Sequence, residues 1–455
     1  MKEILSKALE KVDAEYADIR YEDNQITRII YAGKELKGVS FPKMKGGHIR
    51  VLKNGGWGTN SFNEPSKINK SVKLALEAAT GVGNSIKKKV KLAPAPVIQE
   101  IIKVNPKKDP RKISFDQKKQ LLERYNEMIL SHPKIKTTNM IYREEYSRRY
   151  FINTDGTYID QEILIVLASI GIVAKEGNLV QAVGVSVGGC DDYSRIEGRE
   201  KLIEEKTKAA IDLLSAEPVK AGSYMAVINP DLAGVFIHEA FGHMSEADSI
   251  MFNPSMRQEM KIGRRLSKPI LNVVDNGSLP DSIGSYRFDD EGIASRKTYL
   301  IKEGVLNGRL HSRETAAEFN EPLSGNTRAA DYQYTPIVRM SNIFIENGTS
   351  TFDEMISSIQ DGLYLIGGKG GQTVGDVFTF GAQYGYIIKN GRLTQMIRDI
   401  NLSGNLFTTL MSISAIGNDL KVGESGGCGK GGQMLTGSGY GSPHIKIDSL
   451  TIGGR

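Results

Sequence analysis

The period of the hydrophobic pattern changes several times along the chain, and each change marks an element. The first sixteen residues, MKEILSKALEKVDAEY, set acids and lysines among apolar residues at helical spacing, which predicts an amphipathic surface helix. Short apolar runs follow. Residues 17–21, 25–31 and 48–52 read as strands, and Asn54-Gly55 as the hairpin turn leading into residues 57–61. The helical period returns over residues 65–79, with Pro65 near the start, where a missing N–H costs nothing. A helix over 115–130 precedes long strands between residues 134 and 187, with Asp155-Gly156 as a turn between two of them. Residues 197–214 are again helical. The longest apolar stretch, 163–174, is too short to span a bilayer and is interrupted by Ser169 and Gly171, so it reads as a buried strand. Beyond Tyr224, one strand and one helix give way to β-like runs. Asn307-Gly308, Asn347-Gly348 and Asn390-Gly391 sit between such runs and read as hairpin turns.

The resulting class is α+β, with a mixed helix and antiparallel-sheet region first and a β-rich region last. At 455 residues the chain exceeds one ordinary core. Residues 1–82 are expected as an N-terminal α+β subdomain and 83–97 as a linker, since Lys87-Lys88-Lys89-Val90-Lys91 and Pro94-Ala95-Pro96 lie there. Residues 98–216 form a second α+β subdomain with long strands, and 217–455 a β-rich domain carrying the motif described next.

Composition narrows the function classes. With 40% hydrophobic and 25% charged residues the chain is of ordinary globular type. A formal charge of +6 over this length argues against a dedicated nucleic-acid binder. The basic stretch 107–112 reads, like the linker, as solvated chain. Two cysteines, Cys190 and Cys428, cannot build a disulfide framework. Their scarcity fits a reducing compartment, and the first residues lack the apolar core of a signal peptide, so a cytoplasmic location with no membrane association is expected.

The chemistry concentrates after residues 224–228. Asn229-Pro230-Asp231 supplies a cap, a proline at the first helical position and an acid in the first turn. The helix then runs into His238-Glu239-Ala240-Phe241-Gly242-His243. Imidazoles suit zinc, and a neighbouring carboxylate can serve as general base toward a metal-activated water. The familiar spacing between two such histidines is one residue shorter. Five residues of regular helix advance about 500°, so these two imidazoles would diverge by roughly 140°. A π-bulge, or a helix ending at Gly242, is required to bring them together.

Three protein ligands plus water is the usual catalytic zinc count, so a third is needed. Cys428 is the strongest candidate, because the surrounding run 424–432 has almost no side chains to bury and its glycines let backbone approach a metal closely. Glu246 and the run Asp289-Asp290-Glu291 are rivals, the latter more readily a solvated or structural turn. Cys190 reads as structural. The run 367–371 (Gly-Gly-Lys-Gly-Gly) lacks the ending of a phosphate loop. Arg328, Tyr332, Tyr334 and Arg339 form a polar-aromatic stretch to which no role is assigned.

At this point the chain resembles a known family, the TldD/PmbA metallopeptidases, and most closely its metal-bearing TldD branch. The resemblance spans nearly the whole chain. It is carried by residues 236–243 with Ser245-Glu246, by Asp289-Asp290-Glu291-Gly292, Gly325-Asn326-Thr327-Arg328 and Leu402-Ser403-Gly404-Asn405, and by Cys428-Gly429-Lys430 with Gly432-Gln433. It implies that His238, His243 and Cys428 bind Zn2+ and that Glu239 is the catalytic base. It also implies a barrel-like C-terminal body, unfolded or short peptides as substrates, and a dimer formed with itself or with a metal-free TldE/PmbA-type chain. Family members have been described as modulators of DNA gyrase. The competing expectation is therefore a non-catalytic binding or regulatory protein, for example a topoisomerase modulator, that keeps a zinc site. Glu239 discriminates, since a structural zinc site closes with four protein ligands and has no use for a carboxylate beside them.

Overall fold

Residues 1–453 are described by a computed structural model, and the expected α+β class holds. The strand Tyr16–Ala32 pairs antiparallel with Lys43–Lys53 on one side and with Ile135–Asn153 on the other. The segments before and after the basic stretch 83–97 thus contribute to one eight-stranded sheet. Residues 17–21 and 25–31, read as two strands, are one strand of 17 residues. The polar residues between them do not break it, because Glu22 and Asn24 are buried and satisfied: Arg20 Nε lies 2.9 Å from Glu22, and Asn24 donates to Glu22 at 3.0 Å.

Helices cover the apolar face of this sheet. Helix Ile68–Ser85 packs Val72, Ala75 and Ala79 against Ile49, Val51 and Phe62. Helix Phe115–Leu130 begins with a capping box between Ser114 and Gln117 and packs Leu122, Tyr125 and Ile129 against the long strands. Each of the valine, leucine, isoleucine and phenylalanine side chains among these, fully buried, contributes roughly 1.5–3 kcal/mol. The apolar run 163–174 lies within the strand Tyr158–Glu176, as its pattern predicts.

In the C-terminal half a barrel closes. Strands Asp361–Val374, Gly222–Ile228, Ile445–Gly453, Ile400–Asn405 and Val377–Lys389 pair in that order, and the last pairs back onto the first. Helix Pro230–Phe236 plugs its interior: Phe236 meets Phe378 and Phe380 edge-on, with ring centroids 5.3 and 6.2 Å away.

Turn chemistry is confirmed at Asn54-Gly55 and Asn390-Gly391, which join paired strands in left-handed conformations (φ 53° and 69°, 50° and 72°). It fails at two places. The hairpin near Asn307 closes earlier, at Glu303-Gly304, between Lys297–Lys302 and Val305–Leu306, while the Asn307 side chain donates to the Tyr299 carbonyl. Asn347-Gly348 leads from strand Asn342–Ile345 toward helix Phe352–Ser357, and the Asn347 side chain accepts from the Leu420 N–H. Asn307 thus bonds back onto the adjoining strand, and Asn347 bonds across the fold, rather than either forming a tight turn.

A buried ion network joins the first sheet to the C-terminal half. Arg20 and Arg149 approach Asp290 at 2.9 and 3.5 Å, and Arg50 approaches Glu291 at 3.0 Å. Asp289, Asp290 and Glu291 are only 3–4% exposed, so of the two readings offered for this run, a solvated or a structural turn, the structural one holds, in the interior. Among the described residues no helix is long and apolar enough to cross a membrane.

Candidate metal centre

The motif helix starts as the sequence requires. Asn229 caps it by accepting from the Leu232 N–H at 3.0 Å, and the same side-chain oxygen accepts from Gly367 N–H on a barrel strand. The α-helical portion ends at Phe236, a π-turn follows over Ile237–Phe241, and a 3-10 turn over Gly242–Ser245. This is the distortion that the five-residue spacing demands. Gly242 makes it compact, since a Cβ there would lie 2.1 Å from the Met340 sulfur.

The consequence is convergence. The rings of His238 and His243 stand 5.4 Å apart and nearly perpendicular. Cys428, on the short strand Cys428–Lys430, brings its thiol 3.3 Å from His243 Nε2. One ligand atom from each of His238, His243 and Cys428 lies within 4.8 Å of the others. Glu239, partly exposed, has its carboxylate 4.0 Å from His243 Nε2.

Whether these side chains suit a metal can be judged from His238. It is 2% exposed, and among the described residues neither ring nitrogen has a hydrogen-bond partner. A buried, unsatisfied imidazole costs about 1–3 kcal/mol, which a bound cation would offset. Two imidazoles and a thiol are zinc-type donors.

The surroundings orient this set. Glu246, a rival ligand by sequence, is fully buried and accepts from His243 Nδ1 at 2.9 Å, which leaves Nε2 facing Cys428. Lys430 approaches Glu246 at 3.1 Å and Asp248 at 2.6 Å. Arg339, also fully buried, donates to the Cys428 carbonyl. The carboxylates of 289–291 stand outside the group. Cys190 is buried elsewhere, its thiol 3.1 Å from the Ser282 carbonyl.

Charge follows geometry. Burial pushes the Cys428 thiol up, but the two imidazoles outweigh it and hold the thiol at about 6. Burial likewise opposes charge on His243, yet bonding to Cys428 and Glu246 raises the ring to about 10. Burial raises the Glu246 carboxyl as well, and His243 and Lys430 more than reverse that, keeping it below its usual range. The metal-free centre is thus a thiolate beside an imidazolium, whose proton must leave for the ring to ligate.

Against this centre lies a hollow of about 320 Å³, lined by His238, Glu239 and Tyr440 and, from the first sheet, by Leu167, Ser169 and Ser186. A wider hollow of about 730 Å³ continues from it and shares Ser169, Val235 and Tyr440. Sequence reasoning missed Lys430, Arg339 and Tyr440 because their roles depend on pairings between distant segments. The only signal within reach was the proximity of Lys430 to Cys428.

The fold and the donor set define the class: an α+β chain with a histidine–cysteine centre and a carboxylate at its open side. Family models agree. Residues 17–79, 108–215 and 221–454 match the first, central and C-terminal domains of the PmbA/TldA metallopeptidases. A metalloprotease of Synechocystis is 38% identical over 444 residues, 97% of this chain and 95% of the relative. A zinc metalloprotease TldD homolog of Saccharolobus solfataricus is 30% identical over 456 residues, 98% of each chain. Among solved structures, a Thermotoga maritima protein described as a candidate modulator of a DNA gyrase superposes with TM-score 0.79 at 18% identity, covering 96% of both chains. TldE from Thermococcus kodakarensis gives 0.77 at 18%, covering 99% of both. At that identity the structural likeness is one of fold alone. The chain belongs to the PmbA/TldD metallopeptidase family.

Proposed function

We propose that this chain is a zinc-dependent peptidase acting on unfolded or short peptides, with His238, His243 and Cys428 as the metal ligands and Glu239 as general base. The observation that carries the reading is the buried His238 ring, whose nitrogens have no hydrogen-bond partner among the described residues, beside a thiol and a second imidazole and next to a carboxylate open to a hollow. Zinc bound there supplies a Lewis acid that acidifies water and polarises a peptide carbonyl.

The chain's own residues do the rest. Glu246 fixes His243 with Nε2 toward the centre. Glu239 Oε2 takes a proton from the attacking water and returns it to the nitrogen of the departing amine. Residues 217–455 act as the metallopeptidase domain, and 98–216 supply the opposite wall of the hollow. That wall is β-sheet, which suits an extended chain.

The thiol must stay reduced, which fits a cytoplasmic location; both cysteines are free. A dimer with itself or with a TldE-type chain is the assembly proposed.

The test is Glu239→Gln, assayed for zinc content and for cleavage of an unstructured peptide. The variant keeps its metal and loses hydrolysis by a factor of roughly 100 or more. Full activity would remove Glu239 from the role of base.

A further inference from the structure

The face of the first sheet that walls the metal centre carries a second cavity. Along the strand Tyr158–Glu176, Leu167 and Ser169 line the hollow beside His238 and Glu239, while Ile163 and Ile165 line a smaller, partly open cavity of about 140 Å³. These four residues alternate along the strand and so share one face. The two spaces are close on the other side too, since Leu435 lines the smaller cavity and pairs across its hairpin with Cys428.

Arg328 forms part of that cavity. It is 9% exposed, yet among the described residues no carboxylate forms an ion pair with it. Its guanidinium stacks over the Tyr286 ring at 4.7 Å and donates once, to the Met340 carbonyl at 3.2 Å. The space before it is kept clear by Gly437, where a Cβ would stand 3.3 Å from Arg328 Nη2. The acids along the same wall are engaged elsewhere. Asp290 is held by Arg20 and Arg149, and Glu145 by Arg143. Asp289 accepts from the backbone N–H groups of Glu291, Ile293 and Thr327. Asp331 caps its own turn by accepting from the Gln333 N–H. Burial opposes the charge on Arg328, as do the nearby Arg149 and Arg339, so an anion placed there would relieve an existing cost.

We propose that the Arg328 cavity is a carboxylate subsite that anchors the peptide a few residues beyond the bond being cleaved. This rests on the peptidase reading and deepens it. Four residues along the strand separate the middle of one cavity from the middle of the other, about 13 Å, and an extended peptide covers that in about four residues. A C-terminal carboxylate seated at Arg328 would make the enzyme release short peptides from the C-terminal end. An acidic side chain seated there would set a sequence preference instead.

The test is equilibrium binding, read by fluorescence anisotropy on the zinc-loaded Glu239→Gln protein, which binds without cleaving. The probes are an N-terminally labelled alanine–leucine pentapeptide as the free acid, the same peptide as its carboxamide, and a carboxamide with a penultimate aspartate. The free acid is expected to bind roughly 10- to 100-fold more tightly than the plain carboxamide. Arg328→Met should abolish that difference and Arg328→Lys retain part of it, with zinc content and unfolding midpoint checking that both variants fold. Preference for the aspartate peptide over the free acid would assign the subsite to a side chain. Equal binding of all three peptides, or binding of none, overturns the subsite. Cleavage by the wild-type chain is followed in parallel. Hydrolysis without carboxylate preference sinks the subsite alone, and carboxylate preference without hydrolysis sinks the peptidase reading alone.

Discussion

Replacing Glu246 by Gln or Ala tests how the centre is oriented without touching a ligand. The Glu246 carboxylate is fully buried, lies 2.9 Å from His243 Nδ1 and receives Lys430 at 3.1 Å. One hydrogen bond to a charged group is worth about 1.5–3 kcal/mol, and each 1.4 kcal/mol is about tenfold in affinity. Glu246→Gln keeps an oxygen that accepts from Nδ1, so zinc binding should weaken by about tenfold. Glu246→Ala frees the ring and should weaken it by about 100-fold, the upper range for groups that orient metal ligands. Lys430 keeps Asp248 as a partner in both. The assay is competition with a chromophoric chelator at neutral pH, alongside urea unfolding of the metal-free proteins. A folded Glu246→Ala protein that binds zinc as tightly as the wild type would refute the orienting role.

Two further predictions concern the thiols and the ion network. In the metal-free protein Cys428 titrates at about 6 and Cys190 is pushed up to about 12. Iodoacetamide should therefore modify Cys428 alone, at a rate that holds at neutral pH and falls as the pH drops through about 6, and zinc should protect it. A rate that instead climbs through about pH 8–9, as an ordinary thiol's does, contradicts this. Asp290→Ala takes from Arg20 its one carboxylate partner in the C-terminal half, leaving it Glu22 and the carbonyls of Asp331 and Tyr334, and leaves the partly buried Arg149 without its carboxylate, so it should destabilise the chain by about 3 kcal/mol in urea unfolding. A loss below about 1 kcal/mol would show that the network is not holding the first sheet to the C-terminal half.

Local signals carried the sequence reading furthest. The five-residue spacing of His238 and His243 already required a break in helical geometry, and the π-turn at Ile237–Phe241 is that break. Asn229-Pro230 located the start of the helix to the residue, and the helix Phe115–Leu130 has the bounds its pattern predicts. Cys428 stood out because glycines surround it. What stayed hidden depends on long-range pairing. Polar Glu22 and Asn24 looked like a strand break, although Arg20 satisfies Glu22 in the interior. The Asn-Gly pair at 347 carries hairpin chemistry, but its side chain bonds across the fold instead. Glu246 could not be told from a ligand by spacing, since three residues beyond His243 serve a ligand and an orienting group equally well. Arg339 gave no sign that its partner would be the carbonyl of a cysteine 89 positions away.

The central claim is a metal centre built from two imidazoles and one thiolate. It is tested most directly by zinc content per chain, measured by elemental analysis on the wild type and Cys428→Ala purified side by side. The account predicts about one zinc per wild-type chain, the number a single three-ligand site holds, and little in the variant. Unchanged zinc in Cys428→Ala would remove the thiol as a ligand, and a wild type that takes up no zinc when supplied with it would contradict the centre altogether.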